Sequence, residues 1–316
     1  LAVALIAALL FCAAHPARIA ALVAACIGLI AVYQESLSPP YSLRSFFGVH
    51  RVMESADGRF RILAHGTTIH GAQMLRGPDG TPVEGAPEPL TYYFTEGGIA
   101  QALLTKREAR GGRLGEVAIV GVGTGSMACH YKQGEAWTFY DIDPDVVRIA
   151  RDPKLFNFVT SCTPDAPIVL GDARLTLADS AAKRFDVIII DAFSSDAIPV
   201  HLMTREAVAL YMSKLAEGGI LVMHISNRNM ELASVVTSVA AAQGLVTAVN
   251  APRKTPELAA ELKVPPHVAV VARSSRDLEA LTTKPGWRQA TPDSSVKPWT
   301  DDYADIISAI WRQYRR

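Results

Sequence analysis

The sequence lacks an excess of either charge: 31 Lys plus Arg stand against 31 Asp plus Glu among 316 residues. No basic stripe stands out, so nucleic acid is not an expected partner. Cysteine is scarce, with four in all. Cys12 and Cys26 lie in apolar runs, Cys129 and Cys162 are isolated, and no CxxC or Cys/His ligand spacing occurs. A disulfide framework and a zinc site are therefore not expected. No internal repeat is evident.

Charge is missing altogether from the first residues. Leu1 to Ala14 is almost entirely apolar, and after His15-Pro16-Ala17-Arg18 a second apolar run covers Ile19 to Tyr33. A soluble core helix seldom lacks polar residues on every face. Each run is shorter than the ~20 residues of a full span. The chain opens on Leu1 rather than Met, so the first run reads as the tail of a longer helix. The expectation is membrane helices over 1–34, with the membrane as a partner. A signal peptide fits two runs poorly, and a buried helical hairpin is the competing reading. Arg44, Arg51, Arg59 and Arg61 follow the second run, outnumber Arg18 in the loop, and place the remainder on the cytoplasmic side of a bacterial inner membrane.

What is present begins with a linker, Glu35 to Tyr41, and a small β domain, together spanning 35–112. Ser45 to Leu75 is strand-like, with Asp57-Gly58 as a hairpin turn. Residues 77–89 are Gly- and Pro-rich loop, and 91–104 read as a helix. From Glu116 strands alternate with amphipathic helices, the pattern of a parallel sheet with crossovers. Strands are expected at 116–121, 136–141, 167–170, 185–191, 219–226, 245–250 and 267–273. A helix over 204–219 is expected to stop at Gly218-Gly219. The fold class is α/β: a Rossmann-like, class I methyltransferase-type seven-stranded sheet over 113–316, preceded by the small β domain and the membrane helices.

Chemistry concentrates at strand tips. The first strand enters Gly121-Val122-Gly123-Thr124-Gly125, where glycines let a ligand approach the backbone. The second ends at Asp141, suited to both ribose hydroxyls; Asp143, before Pro144, is a helix cap. The third leads into Gly171-Asp172-Ala173, with an acid placed for an adenine amino group. The fourth ends in Asp191 and continues to Asp196, two carboxylates at the edge that lines the crevice of such sheets. These features imply a domain that holds S-adenosylmethionine or a close relative of it.

Together the glycine loop, DIDP, GDA and D-x-x-S-S-D motifs resemble the spermidine synthase family of aminopropyltransferases. The chain looks most like bacterial forms fused to membrane helices. RSFFGVHRV, HGTTIHGAQ, DAFSSDAIPVHL and PWTDDYA strengthen the likeness, which covers roughly Arg44 to the C-terminus. The resemblance implies transfer of an aminopropyl group from decarboxylated S-adenosylmethionine to putrescine or a related amine, without a metal. It implies Asp191 as base and Asp196 as amine anchor and second catalytic acid. Gly121, Gly123, Thr124, Gly125, Asp141, Asp172 and Ala173 would hold the nucleoside, and Tyr92, Tyr93, His70, Gln73 and Asp196 the amine. Asp301 and Asp302 read either as a solvated acidic turn or as a distal anchor. A homodimer is compatible with all of this. Thr124 departs from the family, which carries there the acid that holds the donor ammonium. GVGTG equally suits an S-adenosylmethionine-dependent methyltransferase, and a non-catalytic membrane-tethered sensor of polyamine or nucleoside is the third reading.

Overall fold

The computed structural model describes residues 15–36, 41–66, 68–193 and 199–315. The chain divides into two compact units, Leu1–Ser42 and Leu43–Arg316. In the first, Pro16–Ser36 form a helix of 21 residues. Arg18 near its start and Gln34-Glu35-Ser36 at its end leave an apolar stretch shorter than a bilayer requires. No helix among the described residues is long and apolar enough to cross a membrane. This overturns the expected membrane helices, and with them the inner-membrane placement and the membrane partner. Leu1 to Ala14, expected to be a membrane helix, lie outside the described residues.

Two sheets follow in the chain. Strands β1 (Tyr41–Ser45), β2 (Gly48–Glu54), β3 (Phe60–His65) and β4 (Thr68–Met74) form a four-stranded sheet in sequential order. β2 and β3 pair antiparallel, Glu54 opposite Arg61, around the Asp57-Gly58 turn expected from sequence; Gly58 adopts φ +68°, which glycine tolerates. The helix expected at 91–104 forms instead over Gly98–Ala109. Its start is displaced because Thr91 pairs with Lys263 and Val264, which holds the preceding segment extended.

The large sheet has eight strands rather than seven. β5 (Glu116–Val120), β6 (Ala136–Asp141), β7 (Ile168–Leu170), β8 (Phe185–Ile190), β9 (Leu215–His224), β10 (Val246–Asn250), β11 (Val268–Ala272) and β12 (Trp287–Gln289) take the order β12-β10-β11-β9-β8-β5-β6-β7. The five strands β5 to β9 are parallel, while β11, β10 and β12 join antiparallel, so the sheet is mixed rather than all-parallel. The added edge strand is three residues long, too short to show a period. The helix expected to reach Gly218-Gly219 spans only Arg205–Lys214. Its successor Leu215 is drawn into pairing with Phe185 on β8, and that ladder contact ends the helix.

Two apolar layers cover the sheet. One includes Ile188, Ile190, Leu221, Tyr211 and Val235, the other Ile119, Phe139, Val187, Ile189, Leu103 and Val270. Alternation within β8 sends Ile188 and Ile190 to one face and Val187 and Ile189 to the other, as a sheet covered on both sides demands. A buried ion pair, Arg107 Nε to Glu135 Oε1 at 2.7 Å, braces the start of β6, and Glu135 also accepts hydrogen bonds from Leu114 N and Trp137 Nε1. One disulfide is present, Cys129 to Cys162, against expectation. The two cysteines sit 33 residues apart, and the fold brings a 3-10 turn (Ser126–His130) against a short helix (Phe158–Cys162).

Candidate active site

A cavity of about 690 Å³ opens between the small sheet and the C-terminal ends of β5, β6, β8 and β9. Its wall includes Gly121, Gly123, Asp141, Asp172, Ala173 and Asp191 from the strand tips, with His70, Tyr92 and Tyr93 facing them. Three carboxylates 19 to 50 residues apart in sequence thus meet beside one glycine turn, because parallel strands carry their C-terminal ends to a common edge.

The glycine turn is shaped by what surrounds it. Gly121 has φ +96°, and a Cβ there would lie 2.1 Å from the carbonyl oxygen of Asp191. Gly123 has φ +54° and faces the carbonyl of His70 at 2.8 Å by the same measure. Thr124 and Gly125 do not line the cavity. Thr124 is fully buried, shares a 2.7 Å hydrogen bond with Ser126, and packs under Gly71. Gly125 rests on Val159 of the short helix.

Asp141 accepts hydrogen bonds from Val122 N (2.8 Å, Oδ2) and Asp143 N (2.9 Å, Oδ1). Each oxygen keeps a lone pair for a ligand hydroxyl. Burial pushes its carboxyl up from 3.8 to about 6, against the two backbone N–H bonds that favour the anion. Asp143 caps the helix Pro144–Arg151 by accepting from Asp145 N at 2.9 Å, and receives Ser45 Oγ at 2.5 Å and His50 Nε2 at 2.7 Å. Burial would raise its pKa, but those hydrogen bonds outweigh burial and hold it below the ordinary range. Asp172 caps the helix Ala173–Ala178 through Arg174 N (2.8 Å) and meets His201 Nε2 at 3.0 Å.

Asp191 is nearly enclosed, its side chain 5% exposed. Its Oδ2 accepts from the Tyr93 hydroxyl, and its Oδ1 lies 2.6 Å from His224 Nδ1. Burial alone would keep it protonated; the charge and hydrogen bond of His224, then the Tyr93 hydroxyl, hold it below the usual carboxylate range. Tyr93 is driven well above its ordinary value by burial and by the Asp191 charge, so its phenol stays a donor. The arrangement presents an anionic carboxylate in a partly apolar pocket.

Gln73 lies off the cavity, where its Oε1 accepts from Asn157 N at 3.0 Å. Asp301 is held by Arg174 at 2.6 and 2.7 Å and by Thr204 at 2.7 Å, so that acidic turn is a brace on the helix Ala173–Ala178. Asp196 lies outside the described residues. Of the histidines, sequence reasoning named only His70 for the site. His50, His65, His70, His201, His224 and His267 all line the cavity, and three of them pair with acids at strand tips. Those pairs are 93, 29 and 33 residues apart. No local spacing signals them, although the abundance of His in 50–70 was a visible hint. Among the described residues no group of three or more His, Cys, Asp or Glu is arranged to hold a metal ion.

Fold and cavity together define an α/β domain in which a glycine turn and the acids Asp141, Asp172 and Asp191 line one cleft at the strand tips. Residues 103–255 match the model of the spermine/spermidine synthase domain family. The polyamine aminopropyltransferase of Vibrio vulnificus (strain CMCP6) is 34% identical over 112 residues, which cover 34% of this chain and 36% of that protein. The aligned part is thus about a third of the curated relative's length. A probable spermidine synthase from Corynebacterium glutamicum shares the fold at TM-score 0.57 and 14% identity, over 84% of this chain and 97% of its own. Spermidine synthase from Thermotoga maritima does so at TM-score 0.51 and 14% identity, over 86% and 83%.

Proposed function

We propose that the protein is a polyamine aminopropyltransferase, moving an aminopropyl group from decarboxylated S-adenosylmethionine to putrescine or a related primary amine. The observation that carries this reading is Asp191: a buried carboxylate held ionised at the tip of β8, beside the Gly121 turn and across one cavity from Asp141. The cavity suits the nucleoside donor. Gly121 and Gly123 leave backbone where a side chain would intrude, and Asp141 has a free lone pair on each oxygen.

A primary amine has a pKa near ~10.4 on the lysine scale, so the acceptor arrives protonated. Asp191 holds the ammonium and takes one proton from it. The freed lone pair forms the N–C bond, and the C–S pair stays on sulfur, which leaves as a neutral thioether and needs no acid. Tyr93 and His224 fix Asp191, and the walls align nitrogen, carbon and sulfur.

A second reading has one specific support. Thr124 is buried beneath Gly71 and supplies no carboxylate to a donor ammonium, which favours ordinary S-adenosylmethionine and methyl transfer. Incubation with putrescine and each donor in parallel, with products read by mass spectrometry, separates the two. Methylthioadenosine and spermidine are expected from the decarboxylated donor. S-adenosylhomocysteine from the ordinary donor, with no methylthioadenosine from the other, would replace the proposal.

A further inference from the structure

Asp191 is gripped from two sides, and only one grip belongs to a residue singled out by the sequence. His224 closes β9, the neighbour of β8, so the ladder itself sets the two side chains next to each other. Nδ1 sits 2.6 Å from Asp191 Oδ1, and Nε2 sits 2.8 Å from Ser226 Oγ. Ser226 Oγ in turn accepts the backbone N–H of His267 at 2.8 Å. A serine hydroxyl can donate to Nε2 or accept from it, so this contact serves either protonation state of the ring. The imidazole lies against Tyr92 and Phe193, with ring centroids 5.0 and 4.8 Å away. Side-chain exposure is 3% for His224 and 5% for Asp191, so the pair is largely shielded from bulk solvent.

We propose that His224 is a positioning residue of the reaction assigned above: its Nδ1 contact fixes the rotamer of Asp191 and keeps it a carboxylate, ready to take the amine proton at neutral pH. The inference rests on the aminopropyl-transfer reading. Its physical basis is that an unpaired carboxyl in such surroundings takes up a proton, and a protonated acid cannot accept another. Burial pushes Asp191 upward, and the largest opposing influences are the charge and hydrogen bond of His224, followed by Tyr93 and His70. The groups facing the pair are Tyr93 and Tyr92 from the segment before the helix Gly98–Ala109, His70 from β4, and Asp141 from β6, which faces Tyr93. In the reaction one N–H proton passes from the ammonium to Asp191 and then to water as products leave. His224 acts through Asp191 and takes no proton from the substrate in this step.

The test uses His224→Leu and His224→Asn. Leucine fills the space between Tyr92 and Phe193 but has no donor; asparagine restores an N–H near the place of Nδ1. With His224→Leu, kcat for methylthioadenosine release is expected to fall by about 10–100-fold. Methylthioadenosine affinity, read by calorimetry, is expected to stay unchanged, and the acidic limb of the pH–rate profile to move to higher pH. His224→Asn is expected to recover most of the lost kcat. Independently of turnover, the carboxyl carbon of Asp191, followed by NMR in protein labelled at aspartate, should titrate at higher pH in His224→Leu. Coincident Asp191 titrations in wild type and His224→Leu would overturn the inference. So would equal losses in both variants with no movement of the pH profile. Failure of the wild type to release methylthioadenosine would instead remove the aminopropyl-transfer reading, while the NMR titration still judges the coupling.

Discussion

Replacing Asp191 with asparagine tests the chemistry with little disturbance of the fold. The two side chains have the same shape. The Asn carbonyl can accept from the Tyr93 hydroxyl, and its amide can donate to His224 Nδ1, so both contacts now made by Asp191 retain a partner. The backbone bond from residue 191 N to Val120 O, 2.8 Å, is untouched. What disappears is the negative charge and the ability to take a proton. A positioned general base contributes roughly 10²–10⁴-fold, or about 3–5 kcal/mol of barrier at 1.36 kcal/mol per tenfold. Methylthioadenosine release from decarboxylated S-adenosylmethionine and putrescine should therefore fall by that factor, while calorimetry shows nucleoside binding retained. In the wild type the same acid sets the acidic limb. Its pKa is depressed, so the carboxylate is fully formed at neutral pH and kcat at saturating donor is lost as pH falls through that depressed value. An Asp191→Asn variant with wild-type turnover would refute the assignment of the base, whatever the fold.

Further outcomes follow from the same cavity. Asp141 takes its proton near pH 6 in the folded protein against an ordinary value of 3.8, so the folded state binds that proton more tightly than the unfolded chain does. Its contribution to stability is thus favourable at low pH and declines as pH rises from about 4 to about 6. Ribose hydroxyls favour the anion, so methylthioadenosine affinity should tighten as pH rises through about 6; Asp141→Asn should flatten that dependence in calorimetry, and an unchanged slope would count against Asp141 as the ribose acid. Gly121→Ala would place Cβ 2.1 Å from the Asp191 carbonyl at φ +96°; a cost of about 1–3 kcal/mol and lost nucleoside binding are expected in denaturant unfolding and calorimetry. Reducing Cys129–Cys162 releases a loop of 33 residues; on the chain-entropy account unfolding should become easier by about 3–4 kcal/mol, and identical urea curves with and without dithiothreitol would show that the bridge adds nothing.

Much of this architecture is legible from the residues alone. Seven strand positions follow from apolar runs that need cover on both faces, and β5 to β9 match them because local hydrophobicity dictates a buried strand. The turn at Asp57-Gly58, the cap at Asp143 before Pro144, and the sequence of acids at strand tips are likewise local features. The errors have local causes too. The apolar run after Arg18 carries the composition of a membrane helix but not the length. The helix start at Gly98 and the helix end at Lys214 depend on pairing of Thr91 with Lys263 and of Leu215 with Phe185, partners far along the chain.

The site divides along the same line. Sequence by itself determined which side chains stand at the strand tips, because a strand's end is marked by its own residues: Gly121, Asp141, Asp172 and Asp191. Tertiary structure alone decided what faces them. His224 reaches Asp191 only because β9 lies beside β8, His50 reaches Asp143 only because the small sheet covers β6, and Cys129 meets Cys162 only because a short helix packs against the glycine turn. Ionisation of the acids follows from those neighbours and from burial, and neither is a property of a residue and its immediate sequence. The order of the strands, which sets who is adjacent to whom, is written in no single segment of the chain.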